Sequence, residues 1–298
     1  MSDEQEATPA EAAALVRVPT PDDDKYARGV LGLLTGSSRY PGAAVLGVEA
    51  ALRTGVGMVR YLGPGRAADL VLQRRPEAVT APGRVQAWVV GSGMPLVGAD
   101  ATGAAGEPLD TVTAERVRAA LASGHPLIID AGAITPTVLA AATGPVIITP
   151  HAGELARLTG ADIAAVRSEP VAAARAAAER FGVAVLLKGH TTRVVAPGGP
   201  VLVARQAPAW LATAGAGDAL AGILGALTAT HAAATPLDTV PLDTAPVDLA
   251  YLARLGAAAA VLHGLAATRA SAGGPLTVLD LCAALPATIA ALLDASAR

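Results

Sequence analysis

The chain has 298 residues and a formal charge of −3, and 52% of its residues are hydrophobic while only 2% are aromatic. That balance offers no basic face to a polyanion and argues against nucleic acid as a partner. The single cysteine, Cys282, excludes an intrachain disulfide and any multi-cysteine metal site, in keeping with a reducing compartment.

Residues 1–23 are acidic and proline-containing, with no basic segment leading into an apolar one. They read as a flexible tail and not as a secretory signal. Apolar runs predict strands over 29–36, 57–63, 86–93, 126–132, 145–150, 184–189 and 192–197. Helical patterns occupy 41–55, 113–124, 153–160 and 170–182, and a further helix is expected over 219–229. Continuous apolar strands alternating with helices predict a mostly parallel α/β sheet, covered on both faces, in one domain over 24–298. Residues 230–252 repeat Pro-Leu-Asp-Thr and read as an exposed loop insertion, about 230–248, between two Ala-rich helices. The most apolar stretches, 211–228 and 255–267, are broken by Asp218 or carry His263. Neither gives a convincing charge-free span of about 20 residues. The expectation is a soluble cytoplasmic protein that does not cross a membrane.

Ligands of open α/β sheets lie beyond the carboxyl ends of the strands. Here those ends read Gly36-Ser37-Ser38, Gly91-Ser92-Gly93, Asp130-Ala131-Gly132, Thr149-Pro150-His151 and Lys188-Gly189-His190, a polar rim on a hydrocarbon sheet. Of 22 basic side chains only two are lysines, Lys25 and Lys188, and both stand beside candidate ligand loops. A compact ammonium suits a phosphate where the planar fork of arginine does not; chance survival on a solvated face is the other explanation. The run Gly215-Ala216-Gly217-Asp218 sits where a loop turns into a helix. Its backbone N–H groups would form a nest for phosphoryl oxygens, with Asp218 placed to take a proton from an attacking hydroxyl. The four residues alone equally allow Asp218 to be a helix cap.

Gly-Ala-Gly-Asp opening a buried helix resembles the signature of ribokinase-like small-molecule kinases. A larger set of motifs resembles one branch, the ADP- or ATP-dependent NAD(P)H-hydrate dehydratases: residues 24–61, VVGSGM (89–94), IIDAGA (128–133), ITPHAGELARL (148–158), LLKGHTTRVV (186–195) and ATAGAGDALAG (212–222). The resemblance implies a three-layer ribokinase-like fold and the repair of NADH or NADPH hydrated at C6 of the nicotinamide ring. Phosphorylation from ADP or ATP would turn the hydroxyl into a leaving group. By the same resemblance Asp218 is the base and Gly215, Ala216 and Gly217 form the anion hole. Ala43, Gly93, His151 and Asp218 would touch the hydrated dinucleotide, and Lys188, Gly189, His190, Thr191, Thr192 and Gly217 the adenine nucleotide. It implies Mg²⁺, with no acidic cluster to name its ligands, and a homotetramer. ADP is favoured over ATP. The segment before Lys25 is too short for the epimerase domain often joined to this family, so an epimerase is expected as a separate partner.

Four positions depart from the family pattern: Ala152, Ala216, Ser92 and Gly132, the last standing where a second acid is frequent. Two other functions compete: a kinase of the same fold acting on a stable alcohol, and a nucleotide-binding regulatory protein without catalysis. His125, His231 and His263 lie outside the motifs and carry no assigned role.

Overall fold

The computed structural model describes residues 4–98, 109–234 and 247–296. Its strands are β1 (Glu4–Glu6), β2 (Val30–Leu34), β3 (Met58–Tyr61), β4 (Ala87–Val90), β5 (Leu127–Ile129), β6 (Val146–Ile148), β7 (Ala184–Leu187), β8 (Thr192–Val195) and β9 (Val201–Ala204). They form one sheet in the order β1-β9-β8-β7-β6-β5-β4-β2-β3. Every pairing is parallel except those of β8, which runs antiparallel to both neighbours.

Alternate side chains of each strand feed two separate cores, because successive Cβ atoms point to opposite faces. Leu31, Leu33, Val89, Ile128, Ile147 and Leu186 enter one; Val30, Leu34, Val90, Ile129, Ile148 and Val185 enter the other. The first core is closed by α1 (Pro9–Ala14), α2 (Gly42–Thr54), α3 (Gly65–Arg74), α9 (Ala216–Ala233), α10 (Leu249–Ser271) and α11 (Val278–Ser296). The second is closed by α4 (Thr111–Leu121), α5 (Pro136–Ala141), α6 (Ala152–Thr159), α7 (Ile163–Ser168) and α8 (Pro170–Phe181). Both faces of the sheet are therefore dry, which is why its strands read as unbroken apolar runs.

The amino-terminal segment is not the loose tail the sequence suggests. Glu4–Glu6 pairs in parallel with β9, Glu4 binds Arg193 and Arg205 at 2.9 Å each, and a Thr8–Glu11 capping box starts α1. Ala7, Ala12, Ala13 and Leu15 are buried, and His231 Nε2 lies 2.9 Å from the Leu15 carbonyl. The expected insertion is also shorter: α9 continues to Ala233, Asp248 caps α10, and residues 235–246 lie outside the described residues.

α10 and α11 are each long and apolar enough to cross a membrane by length and composition; α10 extends the apolar stretch 255–267 at both ends, and α11 was not among the stretches singled out in the sequence. Of the α10 window 72% is buried inside the fold, and of the α11 window 28%.

α2 and α9 cross at small residues. A Cβ on Gly222 would overlap the Gly47 carbonyl oxygen and lie 3.1 Å from the Ala50 Cβ, so the two backbones meet without a side chain between them. Fully buried Glu49 on α2 ties the same helix to α3 and the residue after it, with Arg53 at 2.6 Å, Arg74 at 3.3 Å and Arg75 at 2.5 Å. Burial alone would raise the Glu49 carboxyl, but the three guanidiniums outweigh it and hold it down at about 2. Gly222→Ala is expected to lower the unfolding free energy by about 1–3 kcal/mol through overpacking, measured by urea denaturation; an unchanged midpoint would contradict this account of the crossing.

Candidate active site

Four strand ends converge on one carboxylate. Asp130, directly after β5 and 2% exposed, accepts hydrogen bonds from Ser92 Oγ (2.7 Å, after β4), Thr149 Oγ1 (2.7 Å, after β6) and Lys188 Nζ (2.9 Å, after β7). Burial would raise its pKa, yet Lys188 and the two hydroxyls hold it below the usual carboxylate range. Burial likewise would lower Lys188, and Asp130 with Glu154, 3.7 Å away, keeps it above the usual lysine value. The pair is thus a charged one.

Lys188 also reaches the start of α9. A Cβ on Gly217 would lie 3.3 Å from Nζ, so the glycine is what lets the ammonium approach the first helical turn. Gly215, at φ 90°, makes the turn into that helix in the left-handed region that glycine tolerates. The helix begins at Ala216, three residues earlier than the sequence pattern placed it, so Asp218 stands inside its first turn and is not a side-chain N-cap. Amides of a first turn have no intrahelical acceptor. Ala216 is the exception in the expected anion hole, because its N–H points back to the Thr213 carbonyl at 3.4 Å.

Asp218 is partly buried, and its carboxyl is pushed up to about 7. Burial is the main cause; the negative charges of Asp130 and Glu154 add to it, and Lys188 opposes it. An acid poised there can hold or accept a proton near neutral pH.

His151 caps α6: its Nδ1 accepts from the amides of Gly153 (3.0 Å) and Glu154 (3.2 Å), while Glu154 Oε2 accepts the His151 N–H at 2.8 Å. With Nδ1 an acceptor, Nε2 is the ring's N–H; it lies 3.5 Å from Glu154 Oε1, and the side chain is 60% exposed. A cavity of about 530 Å³ is lined by His151, Lys188, Gly189, His190, Thr192 and Gly217, with an apolar wall that includes Ala207, Pro208, Leu211, Leu220 and Ala260; Asp218, Gly215, Ala43 and Gly93 do not line it. Thr191 lies in the same turn without lining the cavity.

Ala43 and Gly93 also come together: a Cβ on Gly93 would sit 2.5 Å from that of Ala43 and 2.9 Å from the Tyr40 carbonyl oxygen. Gly132 has a steric reason. A side chain there would overlap the carbonyl oxygens of Met94 and Pro95, so in this chain backbone fills the place of the second acid. Lys25 does not belong to the site; it is exposed and precedes β2, at the amino end of the strand. Among the described residues no group of three or more His, Cys, Asp or Glu side chains could hold a metal ion. Besides Asp130, the carboxylates near Lys188 are Glu154 and Asp218.

A family model described as NAD(P)H-hydrate dehydratase matches residues 31–285. The chain is 44% identical over 230 residues to the bifunctional NAD(P)H-hydrate repair enzyme of Mycobacterium tuberculosis, covering 74% of this chain and 45% of that protein. It is 34% identical over 224 residues to the ADP-dependent (S)-NAD(P)H-hydrate dehydratase of Xanthomonas campestris, covering 71% and 76% of the two chains. The chain spans about half the length of the bifunctional relatives it matches. In structure it is similar to the ADP/ATP-dependent NAD(P)H-hydrate dehydratase from Bacillus subtilis co-crystallized with ATP/Mg²⁺, at TM-score 0.77, 22% identity, and 96% and 97% coverage. A ribokinase-like superfamily protein of Enterococcus faecalis gives TM-score 0.74 at 20% identity, covering 98% of this chain and 97% of that one. The three-layer architecture is the ribokinase-like one.

The raised Asp218 pKa has a consequence for stability. The unfolded value is 3.8 and the folded value about 7, so stability present at pH 4 is lost as the pH rises through 7. Asp218→Asn removes that loss. The variant is expected to exceed the unsubstituted protein in stability at pH 8 by roughly 1–3 kcal/mol, allowing for partial exposure, and to match it at pH 4. Paired urea titrations at the two pH values decide the matter.

Proposed function

Because the chain belongs to the NAD(P)H-hydrate dehydratase family, we propose that it restores NADH and NADPH from their S-hydrates at the expense of ADP. The observation that carries this reading is that Lys188 and Gly217 of the α9 first turn line one cavity, with Asp218 the next residue of that turn and close enough to Lys188 to feel its charge.

Hydroxide is a poor leaving group and phosphate a good one. Asp218 takes the proton of the C6 hydroxyl as its oxygen attacks the β-phosphorus of ADP, and the bond to the AMP oxygen breaks. The amides of Gly217 and Asp218, with Lys188, meet the charge on the transferring group. The lone pair of the ring nitrogen then expels phosphate from C6, and loss of a C5 proton restores the dihydropyridine. The products are reduced cofactor, AMP, phosphate and a proton. Mg²⁺, when bound, would neutralise charge between the phosphates. Asp130 touches no reacting atom in this scheme; it positions Lys188. His151 Nε2–H, Ala43 and Gly93 face the hydrated dinucleotide, and Lys188–Thr192 with Gly217 the nucleotide.

The same reading takes the protein to be a cytoplasmic homotetramer, working beside an epimerase that converts the R-hydrate to the S-hydrate. The reason for a regulatory protein without catalysis weakens, since Gly132 is explained by the backbone packed against it.

Incubation of NADH hydrate with ADP is expected to return the reduced-nicotinamide absorbance and release AMP. Asp218→Asn should reduce turnover by roughly 10²–10⁴-fold with ADP affinity changed little. Turnover of the unsubstituted enzyme should rise with pH and level off above about 7, as Asp218 loses its proton. Phosphate transfer to a stable alcohol without recovery of absorbance would instead select a kinase.

A further inference from the structure

His263, on α10, belongs to none of the sequence motifs of the site, yet it is one of the residues lining the cavity shared by Lys188, Gly189 and Gly217. It is 6% exposed, and its Nε2 has no hydrogen-bond partner. Three other buried side-chain atoms among the described residues share that condition, Arg28 Nε, Thr35 Oγ1 and Trp88 Nε1, and none of those residues lines this cavity. An unpaired buried polar atom is destabilising, so its retention asks for a partner from outside the chain.

The chemistry of that partner follows from the ring. Burial pushes the imidazole down to about 4, so it is neutral near pH 7 with one N–H and one lone pair. A hydrogen bond to the Ala216 backbone favours the protonated ring, which makes the ring the donor there. Nε2 is left as an acceptor. Phosphate oxygens are acceptors too, so they cannot satisfy it; a hydroxyl or an amino group can.

We propose that His263 Nε2 accepts a hydrogen bond from the nucleoside part of the bound adenine nucleotide, a ribose hydroxyl or the base amino group, and so helps set nucleotide specificity. The inference rests on the cavity being the nucleotide site.

Calorimetric titration of the full chain and of His263→Leu tests it, with ADP, 2′-deoxy-ADP, 3′-deoxy-ADP, IDP and inorganic pyrophosphate as probes. The substitution should weaken ADP by roughly five- to tenfold, leave pyrophosphate unchanged and not lower the unfolding midpoint. One of the three ADP analogues should bind more weakly than ADP to the unsubstituted protein but equally to the variant, which identifies the donor. His263→Phe provides the same comparison if the leucine variant does not fold. The inference is overturned if the variant binds ADP as tightly as before, or loses pyrophosphate in the same proportion, or if every analogue behaves alike in both proteins. An unsubstituted protein that binds no ADP at all overturns the nucleotide-site reading itself, a result distinct from undiminished ADP binding by the variant.

Discussion

The Asp130–Lys188 pair is the constraint on which the site depends. Taking two charges out of water is unfavourable unless each finds partners, and here the carboxylate gathers Ser92, Thr149 and Lys188 while the ammonium retains Glu154 as a second neighbour. These residues come from β4, β5, β6 and β7, so satisfying one buried acid fixes the relative height of four strand ends. The same charges set the local field. Asp130 and Glu154 make ionisation of Asp218 harder, and Lys188 limits how far that goes. Burial remains the main cause of the raised Asp218 pKa, and these charges adjust it in opposite directions.

Close packing of small residues supplies the rest of the geometry. Gly47, Ala50 and Gly222 let α2 and α9 touch backbone to backbone. That contact brings the start of α2, where Ala43 meets Gly93, next to the turn that carries Asp218. Larger residues would push the acid away from the loop it serves, so the Ala- and Gly-rich composition and the chemistry are two aspects of one constraint.

What was legible in the sequence follows from which signals are local. Strands buried on both faces announced themselves as apolar runs, and the glycine-bounded turn before α9 marked Asp218 as the candidate carboxylate. Asp130 and Lys188 were each seen at strand ends, but their pairing joins residues 58 apart and left no local trace. Glu49 is the same kind of case, with two of its three arginines far along the chain. The amino-terminal segment was misread because its buried face consists of three alanines and a leucine among charged residues, a weak periodic signal. His263 sits in an Ala-rich helix, where sequence shows a polar residue but not the cavity it faces. Gly132 was legible only as a missing acid; the carbonyls that fill its place come from a loop near residue 95.

Lys25 precedes the first core strand and Lys188 follows a strand at the opposite end of the sheet, the one exposed and the other folded into its carboxylates. With arginine carrying every other basic position, amine-directed reagents meet two lysine side chains of very different reactivity. Of the two lysines, Lys25 is therefore the one through which a fluorophore or surface tether would attach, at the opposite end of the strands from the cleft.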